Sequence, residues 1–165
     1  LSPPRLQHVR LNIIITCERT PIHLPPTLRL ETGESLAKSV ELFGNNVAYE
    51  IRLQQALEDH FSVPAGDCFQ LFDCYSPGQR IVNPHYLCRA EAGRSDDFLL
   101  FQITAGKPRS HLQKQRFYQD LVTRLEQSLG ISPHEVMVVI GFTEPEDWSF
   151  GSGKMFSLTD IPPPR

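Results

Sequence analysis

From Lys107 to Arg116 the chain carries four cations, Lys107, Arg109, Lys114 and Arg116, and no acid. Lys107 and Arg109 flank Pro108 and precede Ser110, a residue suited to start a helix. Cations at a helix N-terminus oppose the macrodipole and gain nothing from their own helix. An anion site gives the placement a reason, because a helix N-terminus, a lysine ammonium and the planar fork of an arginine can converge on a carboxylate. The competing structural reading is a solvated charged turn, the common fate of charge runs. Asp67 opens an apolar strand after an apolar helix, where a carboxylate can orient water or act as acid or base, or else satisfy backbone donors in the turn. Glu135 stands at the matching place in the second half of the chain and favours that structural alternative. Trp148, Phe150 and Phe156 surround Gly151-Ser152-Gly153, either as the apolar wall of a small pocket or as core.

Other chemistries find less support. The six histidines are scattered, with no HExxH spacing, and Cys88 near His85 is a weak nucleophile or metal candidate. Cys17, Cys68, Cys74 and Cys88 form no CxxC pair, so they read as free thiols, not as a disulfide framework or zinc site. No GxGxxG, Walker loop or GxSxG is present, so nucleotide-cofactor and serine-hydrolase readings have no basis and no metal or cofactor is expected. Sixteen Lys and Arg against nineteen Asp and Glu give a net charge of −3, which does not suit a nucleic-acid binder. The apolar run Leu11 to Cys17 is far short of the roughly 20 residues of a membrane helix. A cytoplasmic protein is therefore expected, with neither membrane nor nucleic acid as partner.

The elements that must position these residues follow from periodicity. At 165 residues the chain fits one domain. Residues 1–34 read as an N-terminal extension that includes a first strand at 9–16 (VRLNIIIT), residues 35–160 as the core, and 161–165 as a Pro-rich tail. A second short strand at 27–32 is an open alternative. Ser35 caps a helix that Gly44 interrupts, and Asn45 or Asn46 caps another whose apolar face carries Val47, Ile51, Leu57 and Phe61. Cys68 to Tyr75 is strand-like. Ser76 to Asp97 is a long polar connection of the kind that often has a function. Phe98 to Thr104 is a buried strand, and Ser110 caps a helix carrying Leu112, Phe117, Leu121, Leu125 and Leu129 that Gly130 closes. Val136 to Phe142 is the last strand.

The order gives two βαβ units with parallel pairs, an α/β (α+β) fold in which a four-stranded sheet carries two helices on one face. A shift of 68 positions brings Leu57 onto Leu125, Phe61 onto Leu129, Val63 onto Ile131 and Asp67 onto Glu135, the mark of a duplicated unit. With both helices on one face, the other face of an apolar sheet needs another subunit.

The run FSVPAGDCFQ (Phe61 to Gln70), the Lys107-Pro108-Arg109-Ser110 loop with Phe117-Tyr118, and above all GISPHEVMVVIGFTEPEDWSFGSG (Gly130 to Gly153) resemble the tautomerase superfamily, in its malonate semialdehyde decarboxylase branch. The likeness runs from about Tyr49 to Leu158, and DWSFGSG is its most specific part. It implies a βαββαβ subunit assembled as a homotrimer without cofactor or metal, acting on a small carboxylate. It implies that Asp67 activates water or positions substrate and that Lys107 and Arg109 bind the substrate carboxylate, although the family typically has Arg at both places. Trp148, Phe150 and, as a looser match, Phe156 map onto its apolar wall. The family's catalytic group is the secondary amine of an N-terminal proline, whereas this sequence starts with Leu1 and its Pro3, Pro4 and Pro26 are internal amides.

The expectation is a cofactor-independent tautomerase or decarboxylase of a small 2-oxo or 3-oxo carboxylic acid, with activity reduced by the absent proline. In it Lys107 polarises the carbonyl while Arg109 anchors the carboxylate. The alternative is a non-catalytic trimeric binding or structural member of the same superfamily.

Overall fold

The structure, a computed structural model, describes residues 11–17, 50–63, 67–74 and 81–160. Four apolar segments form one sheet: β1 (Leu11–Cys17), β2 (Phe69–Cys74), β3 (Leu99–Ala105) and β4 (Val136–Phe142). Helical backbone at residues 50–61 (α1) lies between β1 and β2, and α2 (His111–Leu129) lies between β3 and β4. The sheet order is β2-β1-β3-β4. The pairs β1–β2 and β3–β4 are parallel, as two βαβ units require, and β1 runs antiparallel to β3 where the units join. The first strand thus begins at Leu11 and holds an inner place in the sheet. The expected segments at 27–32 and 35–49 and the tail at 161–165 lie outside the described residues.

Alternation along β3 assigns the two faces. Leu99, Phe101, Ile103 and Ala105 are buried against Leu53, Ala56, Leu57 and Phe61 of α1 and Phe117, Leu121 and Leu125 of α2, so both helices cover the same face. Phe61 and Phe117 meet with ring centroids 4.7 Å apart. The helical stripes differ from expectation: α1 buries Leu53 and Ala56, which the expected face did not include, and Val47 lies outside the described residues. Ile51 and Leu112 are exposed, because each lies well off the stripe that runs 53, 56, 57, 61 or 117, 121, 125 at 100° per residue. On the opposite face Phe69, Leu71, Met137 and Val139 are each 48 to 58% exposed, so among the described residues this apolar face is largely uncovered.

The 68-residue repeat is structural. Ser62 and Gly130 end α1 and α2 in the same left-handed conformation, at φ 54° and 66°. The next N–H groups, of Val63 and Ile131, reach Leu57 O and Leu125 O, each at 3.4 Å. Asp67 and Glu135 are then both buried, at 8% and 5% exposure. One cap has the residue that tolerates positive φ and the other has a serine. A Cβ at Gly130 would meet no atom within 4 Å, so its replacement tests conformation alone. Gly130→Ala is expected to cost about 1 kcal/mol and Ser62→Gly to gain a few tenths, up to about 0.5 kcal/mol. Urea denaturation of both variants checks this; equal effects of the same sign would contradict it.

Candidate functional site

The register gathers the candidate residues at one end of the sheet. Leu11 pairs with Ala105, Ala105 with Phe142, and Asn12 with Phe69. Asp67 lies two residues before Phe69, Lys107 and Arg109 follow Ala105, and the segment carrying Trp148 follows Phe142, where Thr143 N–H bonds to Ala105 O at 3.0 Å. Glu135 and the segment 81–97 sit at the other end. There Ser95 N–H donates to Glu135 Oε1 at 2.8 Å, and Arg94 Nη1 donates to Tyr86 O at 2.7 Å. The described part of the long connection, 81–97, is therefore remote from the candidate site of its own subunit, and Glu135 satisfies a backbone donor of that segment, not one of its own helix-to-strand turn.

The cationic loop is built by two helix ends. Ser110 caps α2: its Oγ accepts Gln113 N–H at 3.1 Å while Gln113 Oε1 accepts Ser110 N–H at 3.0 Å, a reciprocal capping box. Arg109 turns away from α2 to the C-terminal end of α1. Its Nε and Nη2 donate to Phe61 O at 3.1 and 2.8 Å, its Nη1 donates to Lys107 O, and its guanidinium carbon lies 5.2 Å from the Phe61 ring centroid. A cation unfavourable to its own helix is thus favourable to another, where it meets a carbonyl that α1 leaves open. Burial lowers the pKa of Arg109 from the usual guanidinium value, and a group of such high pKa stays charged. Nη2 keeps one N–H beyond its bond to Phe61 O. Lys107 is exposed, and Lys114 lies with Nζ 5.7 Å from the Phe142 ring centroid.

Beside Asp67, the Cys68 thiol is pushed above the ordinary thiol range by partial burial, with Glu50 and Asp67 adding to the shift. It is therefore a poor nucleophile at neutral pH. Among the described residues no three His, Cys, Asp or Glu side chains come together to hold a metal ion.

The aromatic wall forms through a chain reversal. Gly151, Ser152 and Gly153 have φ of 134°, 56° and 67°, and this turn returns Phe156 to Trp148, where Phe156 N–H bonds to Trp148 O at 2.9 Å. Trp148 and Phe150 stack with centroids 5.5 Å apart and planes 5° apart, and Phe156 meets Phe150 edge-on at 5.2 Å. Phe69 of β2 approaches Phe150 at 6.1 Å, which fastens the wall to the sheet. Trp148 Nε1 donates to Thr143 Oγ1 at 2.6 Å. Beyond the wall is a cleft of about 280 Å³ bounded by Phe150, Met155, Phe156, Ser152, Lys154 and Asp160, with Lys154 Nζ 2.8 Å from Asp160 Oδ1. Among the described residues Asp67, Lys107 and Arg109 do not line it.

Phe61, Phe69, Gln113 and Thr143 were not picked out as site residues in the sequence, where Phe61 was named only for its helix face and the repeat. Of the four, Gln113 had a signal for its contact, as the last residue of the capping pattern Ser-x-x-Gln.

A four-stranded sheet of two βαβ units, with cations and an aromatic wall at one end, defines a class of small α+β proteins. The family model described as "Tautomerase enzyme" matches residues 67–151, and the chain belongs to that family. The chain is 28% identical over 102 residues to the probable tautomerase YusQ of Bacillus subtilis, covering 62% of this chain and 78% of that protein. A malonate semialdehyde decarboxylase, solved in wild-type, mutant and inactivated forms to explain its decarboxylase and hydratase activities, is 26% identical with a TM-score of 0.63, over 87% of this chain and 93% of that one. A fused 4-OT symmetric trimer shares the fold at 17% identity and a TM-score of 0.57, over 93% of this chain and all (100%) of that one.

Arg109→Ala is expected to lower stability by about 1 to 2 kcal/mol, because it strips a charged donor from a part-buried carbonyl as well as a cation–π contact. Arg109→Lys should recover part of the loss, and chemical denaturation of the two variants measures both. An Arg109→Ala protein as stable as wild type would show that the guanidinium does not cap α1.

Proposed function

We propose that this chain is a cofactor-independent enzyme that tautomerises or decarboxylates a small 2-oxo or 3-oxo carboxylic acid. The observation that carries the reading is the placement, at the same end of the sheet, of a buried carboxylate (Asp67), two cations (Lys107 and Arg109) and the wall of Trp148, Phe150 and Phe156. The substrate carboxylate takes the remaining N–H of Arg109 Nη2, held in direction by the Phe61 carbonyl. The Lys107 ammonium polarises the substrate carbonyl, stabilising the enolate oxygen that forms as carbon dioxide leaves a 3-oxo acid or as the proton next to the carbonyl of a 2-oxo acid moves. Asp67 orients water or carries the proton. The wall excludes solvent from the reacting carbons, which strengthens these charge interactions.

Lys107 is given the electrophilic role because β1 begins after at least ten residues of chain, so its first position carries an amide nitrogen and not a terminal amine. The same observation favours a second reading, a binding protein that keeps the pocket without turnover. In either case the subunit works as a homotrimer, its open face of Phe69, Leu71, Met137 and Val139 turned inward, as the fold shared with a trimeric fused 4-OT supports.

A proton NMR time course with malonate semialdehyde and a panel of 2-oxo acids tests the reading, on protein whose N-terminal residue is verified by intact mass. Turnover should fall about a hundredfold or more in Lys107→Ala and in Asp67→Asn, and clearly in Arg109→Lys. Turnover indifferent to Lys107 and Arg109 would refute the assignment, and saturable acid binding without turnover would establish the binding protein. Val139→Asp should convert the trimer to monomer in sedimentation velocity by placing charge on the inward face; an unchanged sedimentation coefficient would exclude that face as the interface.

A further inference from the structure

We propose that Gln113 is a positioning residue for the anion site, fixing the Arg109 guanidinium by tying the first turn of α2 to the last turn of α1; this rests on the reading of Arg109 as the carboxylate anchor. The half-buried Gln113 side chain makes two bonds in opposite directions. Its Oε1 accepts Ser110 N–H within α2, and its Nε2 donates to His60 O of α1 at 3.3 Å. The neighbouring carbonyl, Phe61 O, receives Arg109. Two successive carbonyls that α1 cannot satisfy internally are thus bound by side chains on either side of the α2 N-cap.

The residue type separates this role from capping. A glutamate would complete the same capping box and suit the positive end of the α2 dipole better. It would have no proton for His60 O and would set a negative charge against the negative end of α1. Only the amide serves both helix ends. The Phe61–Phe117 ring contact fixes how far apart the helices lie, but a ring contact is weakly directional, and the bond to His60 O sets the height along α1 at which Arg109 meets Phe61 O. A slip of about 1 Å there would misdirect the free N–H of Arg109 from a bound carboxylate.

The test is an NMR titration of the full chain with 2-oxobutanoate and with its neutral amide, 2-oxobutanamide. Arg109 is followed through its Nε–H cross-peak, assigned by its loss in Arg109→Lys. Wild type should bind the acid more tightly than the amide. Gln113→Met keeps the length and helix propensity of the side chain and removes both bonds. It should weaken the acid about five- to tenfold and leave the amide within about twofold, while the Arg109 Nε–H signal broadens. Unchanged acid affinity in Gln113→Met, or equal weakening of acid and amide, would overturn the proposal. Wild type that does not distinguish acid from amide would overturn the anion site itself. Acid affinity lost in Arg109→Lys but kept in Gln113→Met would overturn the role of Gln113 alone. If Gln113→Met does not fold, the wild-type Gln113 side-chain amide decides. Its signals should shift with the acid and not with the amide, and signals indifferent to the acid would reject the coupling.

Discussion

The last turn of α1 ends in carbonyl groups that no residue of that helix can satisfy, and the arrangement of the site follows from how they are met. Arg109 and Gln113 take the carbonyls of Phe61 and His60. In doing so they join the helix end of one βαβ unit to the helix start of the other. The same contact places a half-buried cation at the negative end of a helix dipole, where its charge is stabilised without an acidic partner. An arginine anchored to carbonyl oxygens stays cationic and keeps capacity for an anion, whereas one neutralised by a carboxylate would not attract a second.

The duplicated architecture explains why only one end of the sheet is a candidate site. Each unit places a buried carboxylate ahead of its second strand, Asp67 in one and Glu135 in the other. At the Glu135 end the segment 81–97 folds over the sheet, with Arg94 holding Asn83 O, Tyr86 O and Leu87 O and Ser95 N–H supplying Glu135. At the Asp67 end the cationic loop and the aromatic wall approach instead. Equivalent helix-to-strand junctions thus have different surroundings, and the difference lies in the connecting segments, 81–97 ahead of β3 at one end and those that follow β3 and β4 at the other, not in the junctions.

Much of the fold was legible in the chain. The β-branched and aromatic runs marked all four strands to within about two residues of their ends, Ser110 and Gly130 marked the limits of α2, and the 68-residue offset anticipated matching helix ends. These features depend on neighbours in sequence, through side-chain periodicity and local φ preferences. The stripes of α1 and α2 were read less well, since Ile51 and Leu112 are as apolar as their buried neighbours yet lie off the stripe, and Leu53 and Ala56 complete the α1 stripe instead. Of the candidate site, the residue types and their division among three segments could be read.

Residue types and their order were enough to single out candidate anion-binding side chains, to establish where the strands and α2 lie, and to show that one sheet face is apolar. They could not establish what Arg109 faces. Its own helix argues against a cation there, and the partner that reverses the argument is the Phe61 carbonyl, 48 residues earlier in the chain. Nor could they show that Phe69 fastens the wall, or that Gln113 serves two helices. Hydrogen bonds to backbone carbonyls leave no mark in residue identity, because every residue offers the same carbonyl and only the packed fold decides which one is within reach.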